Sequence, residues 1–142
     1  FNHESPRMCS NFVTVEVVKW LVRVAKGLDN HIELGNLTSY RDWGHSYDYV
    51  RAMHLIMQQD PCDMVVATGE TRSVLDMVEY VRDRLGILGK DCIRINDRLK
   101  RPNELDYLRG DATNIKALGW KPTYTFKSMM DEMIKHWEKV YE

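Results

Sequence analysis

Apolar and polar residues recur along much of the chain with the spacing of amphipathic α-helices, one apolar position every three or four residues. In the segment Phe12–Leu28 the charged residues all fall on one narrow stripe, and most other positions are apolar. We therefore predict a first helix whose wide apolar arc packs against more than one neighbour. A second helix is predicted to be capped by Ser46 and stopped by Asp60-Pro61. Its expected apolar face consists of Tyr49, Val50, Met53, Ile56 and Met57.

Further helices are predicted in the second half of the chain. Ser73 and Asp76 have the spacing of a capping box, in which each side chain accepts a hydrogen bond from the other residue's backbone N–H. The helix that follows has an apolar face made of Val74, Met77, Val78, Val81 and Leu85. A short helix is expected between Gly110-Asp111 and Gly119. The last helix has a long apolar stripe, and we interpret its methionines as core residues. This stripe contains Phe126, Met129, Met130, Met133, Ile134, Trp137, Val140 and Tyr141.

Three short strands are predicted between the helices. His31–Leu34 and Cys92–Ile95 alternate between apolar and polar residues, while Met64–Ala67 is continuously apolar and is expected to be a buried strand. Two polar segments, Thr38–His45 and Asp97–Arg109, are predicted to be loops. The pattern thus predicts one α-rich mixed α/β domain over residues 1–142, with four or five helices. Its strands are too few and too short for an independent doubly wound sheet.

Composition narrows the class of protein. The 142 residues are 44% hydrophobic and 29% charged, which is typical of a globular domain rather than a disordered or disulfide-stapled chain. The 20 basic and 21 acidic residues give a formal net charge of −1, so a general nucleic-acid-binding surface is not expected. No apolar run is long enough to span a membrane, and no secretory pattern opens the chain. We expect a soluble, cytoplasmic protein. Any site for an anion should consist of a few basic residues and not of a broad basic surface.

The cysteines and histidines of the chain are not spaced as they are in metal sites or in sites of covalent catalysis. The three cysteines, Cys9, Cys62 and Cys92, share no CxxC spacing, and the five histidines show no ligand spacing. The chain contains no glycine-rich nucleotide loop of the GxGxxG or GxxxxGKS type, and no HExxH or GxSxG motif. We therefore predict no metal ligands and no catalytic residues.

Arginines in predicted loops are the first candidates for binding. Arg7 follows Pro6, Arg41 precedes Asp42-Trp43-Gly44, and Arg101 precedes Pro102. A guanidinium is always charged and presents a planar fork to phosphate, so such arginines suit the recognition of a diphosphate. Glu104 follows closely and has the chemistry to accept hydrogen bonds from vicinal sugar hydroxyls. The alternative is ordinary surface pairing, of Arg41 with Asp42 and of Arg101 with Asp106.

A series of motifs points to a known family. In chain order they are Phe1-Asn2-His3-Glu4-Ser5-Pro6-Arg7, Asn11-Phe12-Val13-Thr14, Leu34-Gly35-Asn36-Leu37, Arg41-Asp42-Trp43-Gly44-His45, Asp48-Tyr49-Val50-Arg51-Ala52-Met53, Ala67-Thr68-Gly69-Glu70 and Arg101-Pro102-x-Glu104-x-Asp106. Their order and spacing resemble the C-terminal part of the GDP-mannose 4,6-dehydratases, in the extended short-chain dehydrogenase/reductase superfamily. The resemblance covers essentially the whole chain. The His-Glu-Ser-Pro and Ala-Thr-Gly-Glu elements favour this family over other sugar-nucleotide enzymes.

The resemblance implies a substrate-binding domain. In the family, an N-terminal Rossmann domain carries the NADP loop, the Tyr-x-x-x-Lys pair and the catalytic Glu, none of which occurs in these 142 residues. The family reaction converts GDP-mannose to GDP-4-keto-6-deoxymannose and water, in the pathway to GDP-fucose. We interpret the start at Phe1 as the boundary with an absent Rossmann half, and we expect no turnover by this chain alone.

The resemblance also assigns roles to individual residues. The substrate-binding positions it implies are Asn2, Val13, Leu34, Gly35, Arg41, Arg101 and Glu104. His3 and Arg7 match positions that contact the cofactor, NADP. The implied partners are GDP-mannose or a related nucleotide-sugar, a Rossmann half and a second copy of the chain.

Two positions depart from the family pattern. Met8 stands where a second arginine is usual, and Val15-Glu16 stands where a basic residue is usual. The first change bears on cofactor contact and the second on guanine recognition, for which Glu16 is a candidate acceptor from a base amino group. Two other functions therefore stay open. One is the corresponding domain of a nucleotide-sugar epimerase or 4-keto reductase, and the other is a non-catalytic nucleotide-sugar-binding module.

Overall fold

Five α-helices and six short strands make up the fold in a computed structural model that describes residues 1–142. The helices are Val13–Ala25 (α1), Ser46–Ile56 (α2), Val74–Arg84 (α3), Thr113–Ala117 (α4) and Phe126–Val140 (α5). The strands are Asn2–Glu4 (β1), Ile32–Leu34 (β2), Tyr40–Arg41 (β3), Trp43–His45 (β4), Arg72–Ser73 (β5) and Ile93–Ile95 (β6). A 3₁₀ turn covers Asp97–Leu99. The α-rich mixed α/β class and the helix number are confirmed, while the strands are twice as many as predicted.

The strands form three separate two-stranded sheets rather than one. β1 pairs in parallel with β4, which sets Asn2 opposite Trp43. β2 pairs in parallel with β6, and β3 pairs antiparallel with β5. Each sheet joins segments that are far apart in sequence, so together they hold the loops in fixed positions around the helices.

Helix α1 is the centre of the larger core. It packs against α3, α5 and β2, which confirms the prediction that its wide apolar arc meets several neighbours. The methionines of α5 lie in this core with α1, as predicted. Its most deeply buried side chains include Val17, Val18, Leu21, Val22, Met77, Val81, Met130 and Met133. Burial of this many apolar side chains is the main stabilising contribution to the fold.

A smaller core lies under α2 and corrects two predictions. Its buried residues are Tyr49, Ala52, Ala67, Ala112, Ile115 and Trp120. The predicted apolar face of α2 is wrong at Val50, Met53 and Met57, which are exposed. The helix instead turns Asp48 inward, where its carboxylate accepts hydrogen bonds from the backbone N–H groups of Thr123 and Tyr124, both at 2.9 Å. A buried carboxylate at one helix position thus outweighs the apolar periodicity of the others.

The predicted buried strand Met64–Ala67 is also wrong. These residues form no sheet ladder, and only Ala67 is fully buried, while Val65 is exposed. One backbone contact is made, from the amino group of Phe1 to the carbonyl oxygen of Val66, at 3.1 Å. Conversely, the segment Thr38–His45 was predicted to be a loop but contains β3 and β4. These two strands are too short to show an alternating pattern in the sequence.

Helix ends follow local side-chain chemistry. The capping box of Ser73 and Asp76 at α3 is confirmed, with the Ser73 hydroxyl accepting from the Asp76 N–H at 3.0 Å. Helix α2 is capped by His45 rather than by Ser46, since His45 Nδ1 accepts from the Tyr47 N–H at 3.1 Å. None of the helices in residues 1–142 has the length and hydropathy needed to cross a membrane.

Asp48 provides a test of the smaller core. Burial alone would raise the pKa of its carboxyl, but the hydrogen bonds from Tyr124 and Thr123 and the charge of Arg51 hold the pKa below its usual value. We expect Asp48→Asn to lower the free energy of unfolding at pH 7 by about 2 kcal/mol, because an amide cannot accept the same set of hydrogen bonds.

The pH dependence has a definite sign. A carboxyl with a lowered folded-state pKa stabilises the protein above its unfolded pKa, and this stability is lost as pH falls through the folded value. The difference between wild type and Asp48→Asn in urea unfolding should therefore shrink as the solution is acidified below about pH 4. A difference that stays constant into strong acid would contradict the role assigned to the ionised carboxylate.

Candidate functional site

One cleft of about 220 Å³ collects every residue that the sequence analysis assigned to substrate binding. These are Asn2, Val13, Leu34, Gly35, Arg41, Arg101 and Glu104. The cleft is completed by six residues that the sequence reasoning did not assign: Phe12, Asn36, Ser39, Trp43, Val74 and Leu99. Positions spread over about a hundred residues of sequence therefore meet at one place.

Different elements carry the walls of the cleft. Val13 begins α1, and Leu34 ends β2, so the apolar wall lies beside the larger core. Asn2 and Arg41 lie on β1 and β3. The segment after the 3₁₀ turn supplies the remaining charged residues, Arg101 and Glu104. An apolar wall combined with a few convergent polar groups is typical of a site for a small organic ligand.

Gly35 permits a close approach of two backbone segments at the cleft. A Cβ atom at this position would lie 2.7 Å from the carbonyl oxygen of Leu99 and 2.8 Å from its carbonyl carbon. Such contacts are with backbone, which cannot rotate aside. The absence of a side chain at Gly35 thus lets the 3₁₀ turn close against the end of β2.

Arg41 and Glu104 are bonded to each other across the cleft. Arg41 Nη2 lies 3.3 Å from Glu104 Oε1, and Arg41 Nη1 donates to the carbonyl oxygens of Leu105 at 2.6 Å and Tyr40 at 2.8 Å. Both side chains are largely buried. Arg41 therefore ties the segment that carries Glu104 to β3. The alternative pairing of Arg41 with Asp42 does not form.

Arg101 differs from Arg41 because its guanidinium is free. It makes no hydrogen bond and no ion pair within residues 1–142, and the alternative pairing with Asp106 is absent. Asp106 instead accepts a hydrogen bond at its backbone carbonyl from the Tyr40 N–H, at 2.7 Å. An exposed guanidinium without a partner at the edge of a cleft is available to bind an anion.

Asp42 lies between Arg41 and Trp43 in the sequence, and its buried carboxylate anchors this segment. It accepts hydrogen bonds from the Thr68 N–H at 2.9 Å, the Thr68 hydroxyl at 2.6 Å, the Gly69 N–H at 2.9 Å and the Gly110 N–H at 3.2 Å. The residue has no exposed surface. The direction of the two cleft residues on either side of Asp42 is thereby fixed.

The two residues assigned to the cofactor lie outside this cleft and do not meet in one pocket. The ring of His3 stacks on Tyr49, with centroids 4.9 Å apart, and its Nδ1 lies 3.0 Å from the Phe1 carbonyl oxygen. Arg7 borders a different groove, beside Tyr47 and Tyr124. These two side chains do not form a dinucleotide site by themselves, so their cofactor role stays a prediction.

The two positions that depart from the family pattern also lie outside the cleft. Glu16 Oε2 accepts a hydrogen bond from the indole N–H of Trp20 at 2.8 Å, so the structure does not support Glu16 as a base acceptor. Met8 packs against the larger core. At these two positions the chain therefore has a methionine packed on the core and a glutamate hydrogen-bonded to Trp20.

Metal-ligating residues are dispersed. No group of three or more His, Cys, Asp or Glu side chains in residues 1–142 is arranged to hold a metal ion. The three cysteines are unpaired, with Cys9 and Cys62 exposed and Cys92 buried.

Several solved structures share this fold. The chain superposes on RMD from Pseudomonas aeruginosa, complexed with NADPH, with a TM-score of 0.89 and 24% identity, covering 99% of this chain and 47% of that one. It superposes on a dTDP-glucose 4,6-dehydratase from Bacillus anthracis, in complex with NAD, with a TM-score of 0.80 and 20% identity, covering 97% and 42%. The chain therefore shares the fold of one part of these proteins and spans less than half of each.

Sequence similarity points to one family. The sequence profile described as GDP-mannose 4,6 dehydratase matches residues 1–133, and the chain belongs to this family. It is 45% identical over 136 residues to GDP-mannose 4,6 dehydratase 2 of Arabidopsis thaliana, covering 94% of this chain and 36% of that protein. It is 39% identical to the Homo sapiens GDP-mannose 4,6 dehydratase and 35% identical to that of Vibrio cholerae, covering 41% and 44% of those proteins. The chain thus spans less than half the length of these relatives.

The close approach at Gly35 can be tested by adding one methyl group. We expect Gly35→Ala to lower the free energy of unfolding by about 1–3 kcal/mol, because the new Cβ forces the Leu99 backbone outward. Gly89→Ala is the matched control, since a Cβ there meets no atom within 4 Å. Urea unfolding of both variants measures the effect. Equal stabilities of the two variants would show that the 3₁₀ turn does not depend on the contact.

Proposed function

We propose that this chain binds GDP-mannose in the cleft and serves as the substrate-binding part of a GDP-mannose 4,6-dehydratase. One observation supports this more than any other. The seven positions that the family resemblance assigned to substrate, from Asn2 to Glu104, line a single cleft. A chance set of seven residues from five parts of the fold would not share one cavity.

The chemistry of the cleft suits the parts of a nucleotide-sugar. The apolar side chains of Val13 and Leu34 provide a surface for the flat face of a base, and Gly35 borders this surface. The free guanidinium of Arg101 matches the planar, bidentate geometry of a phosphate. Glu104 retains a carboxylate oxygen beyond its contact with Arg41, and this oxygen suits a ribose hydroxyl.

The reaction proposed for the whole enzyme converts GDP-mannose to GDP-4-keto-6-deoxymannose and water. When bound, NADP supplies the oxidation at C4 of the hexose and the reduction at C6. The residues of this chain bind the nucleotide diphosphate and orient the hexose that it carries. Binding energy from groups remote from the reacting carbons lowers the activation barrier, because it holds the hexose in one orientation relative to the reacting groups.

The two open alternatives differ from the proposal in ligand or in turnover. An epimerase or 4-keto reductase domain would prefer another nucleotide, as for the UDP-glucose 4-epimerase of Thermotoga maritima, which has the same fold at 20% identity. A non-catalytic module would bind a nucleotide-sugar without any turnover in the full-length protein. The family match favours the dehydratase, because the relatives above are all GDP-mannose 4,6-dehydratases.

Calorimetric titration tests the proposed ligand directly. We expect GDP-mannose to bind with measurable heat, and UDP-glucose and dTDP-glucose to bind more weakly. Arg101→Met should weaken GDP-mannose binding about tenfold or more, because it removes a charge-assisted hydrogen bond while keeping the length of the side chain.

Arg98→Met is the matched control for this titration. Arg98 lies three residues earlier, in the 3₁₀ turn, and does not line the cleft. Its replacement removes the same charge from the same region and should leave affinity nearly unchanged. Equal losses in the two variants would show that only net charge matters, and tighter binding of UDP-glucose would overturn the proposed ligand.

A further inference from the structure

One short segment of the cleft is hydrogen-bonded to the rest of the chain through a single side chain. Residues 101–105 carry two of the assigned ligand contacts, Arg101 and Glu104. Within residues 1–142, no backbone group of this segment is hydrogen-bonded to another backbone group. The hydrogen bonds that the segment does make are all with Arg41. Arg41 is therefore the hydrogen-bonding anchor of the segment.

The contacts of Arg41 are divided between backbone and side chain. Nη1 donates to the carbonyl oxygens of Tyr40 at 2.8 Å and Leu105 at 2.6 Å, and Nη2 donates to Glu104 Oε1 at 3.3 Å. The Arg41 and Glu104 side chains are only 16% and 22% exposed, so salt and water screen this pair less than a surface pair. Because the guanidinium is planar and rigid, two carbonyl contacts fix its orientation, and it orients the Glu104 carboxylate in turn.

Glu104 keeps one carboxylate oxygen free. Oε2 makes no hydrogen bond within residues 1–142, and it is not among the four unpaired side-chain atoms that are shut off from solvent. Those four atoms belong to Trp43, Tyr49, Arg82 and Trp137. The free oxygen is therefore accessible, on a residue that lines the cleft. A carboxylate oxygen accepts hydrogen bonds from hydroxyl groups, so it is suited to a sugar.

We propose that Arg41 is a positioning residue for ribose recognition: it holds Glu104 by Oε1, so that Oε2 accepts hydrogen bonds from the ribose hydroxyls of the bound nucleotide-sugar. The inference rests on the proposed function, in which Glu104 meets the ribose. It gives Arg41 the role of supporting a ligand contact, where the family resemblance implies a contact of its own. A carboxylate oriented before the ligand arrives loses less conformational freedom on binding, which strengthens the contact.

Two ligands that differ only in the ribose measure this contact. GDP and 2′,3′-dideoxy-GDP have the same base and the same diphosphate, and calorimetric titration gives the ratio of their affinities. We expect wild type to bind GDP about tenfold more tightly, because the ribose hydroxyls donate to an ionised carboxylate. In Glu104→Met, which removes both acceptor oxygens, the ratio should fall close to one.

Arg41→Met tests the positioning role itself. This variant keeps the Glu104 carboxylate but removes its anchor, so the ratio should again fall close to one. Both affinities are measured on the same variant, so a smaller folded fraction cancels from the ratio. Arg41→Lys is the second variant, for use if Arg41→Met does not fold. It keeps the charge, but an ammonium is a point donor that does not span the three acceptors, so the ratio should fall here too.

Arg72→Met is the matched control. Arg72 is the direct partner of Arg41 in the pairing of β3 with β5, but it does not line the cleft. Its replacement removes the same charge from the neighbouring strand and should leave the ratio near tenfold. An equal fall of the ratio in Arg72→Met would show that loss of charge alone has the effect, and it would overturn the inference.

A direct contact between Arg41 and the diphosphate gives a different result. Loss of that contact would weaken GDP and 2′,3′-dideoxy-GDP equally, and an unchanged ratio in the Arg41 variants would overturn the positioning role. A wild-type ratio of one would also overturn it, since Glu104 would then have no ribose contact to support. In both cases GDP still binds, and the inference fails alone. If wild type binds neither GDP nor GDP-mannose, the proposed function itself fails.

Discussion

The buried carboxylate of Asp42 is the interaction on which the cleft depends. It has no exposed surface and accepts four hydrogen bonds, two from Thr68, one from Gly69 and one from Gly110. These donors lie about 26 to 68 residues further along the chain, so one side chain joins three distant segments. Removing a carboxylate from water costs free energy, which is offset only when hydrogen bonds satisfy its oxygens. The three segments that meet at Asp42 therefore depend on one another and form a cooperative unit.

The cleft is a consequence of this unit and of two close backbone approaches. Asp42 lies between Arg41 and Trp43, so its hydrogen bonds help to position two residues that line the same cleft. Gly110 reaches Asp42 because it lacks a side chain, since a Cβ there would lie 2.1 Å from the Ala67 Cβ. Gly35 allows the equivalent approach of the Leu99 backbone on the other side. Most of the cleft residues thus lie on short strands and turns that pack around the helical core.

The sequence predicted the helices well because α1, α3 and α5 bury broad apolar faces, and a 3.6-residue period is readable over eleven or more residues. It did not predict β3 or β4, since strands of two or three residues show no period and form through distant partners. The face of α2 was wrong because the buried Asp48 looks polar in sequence. Among the seven cleft residues, loop chemistry first indicated Arg41, Arg101 and Glu104. The other four, Asn2, Val13, Leu34 and Gly35, came from the family resemblance alone. Trp43 was not assigned to the cleft, because its place there depends on the pairing of β4 with the distant β1.

The central claim is that residues distant in sequence form one nucleotide-sugar cleft. A crystal structure of the chain with GDP-mannose tests it most directly. We predict the guanine against Val13 and Leu34, with phosphate oxygens within hydrogen-bonding distance of the Arg101 guanidinium. A ligand bound elsewhere, or one whose diphosphate does not contact Arg101, would contradict the account.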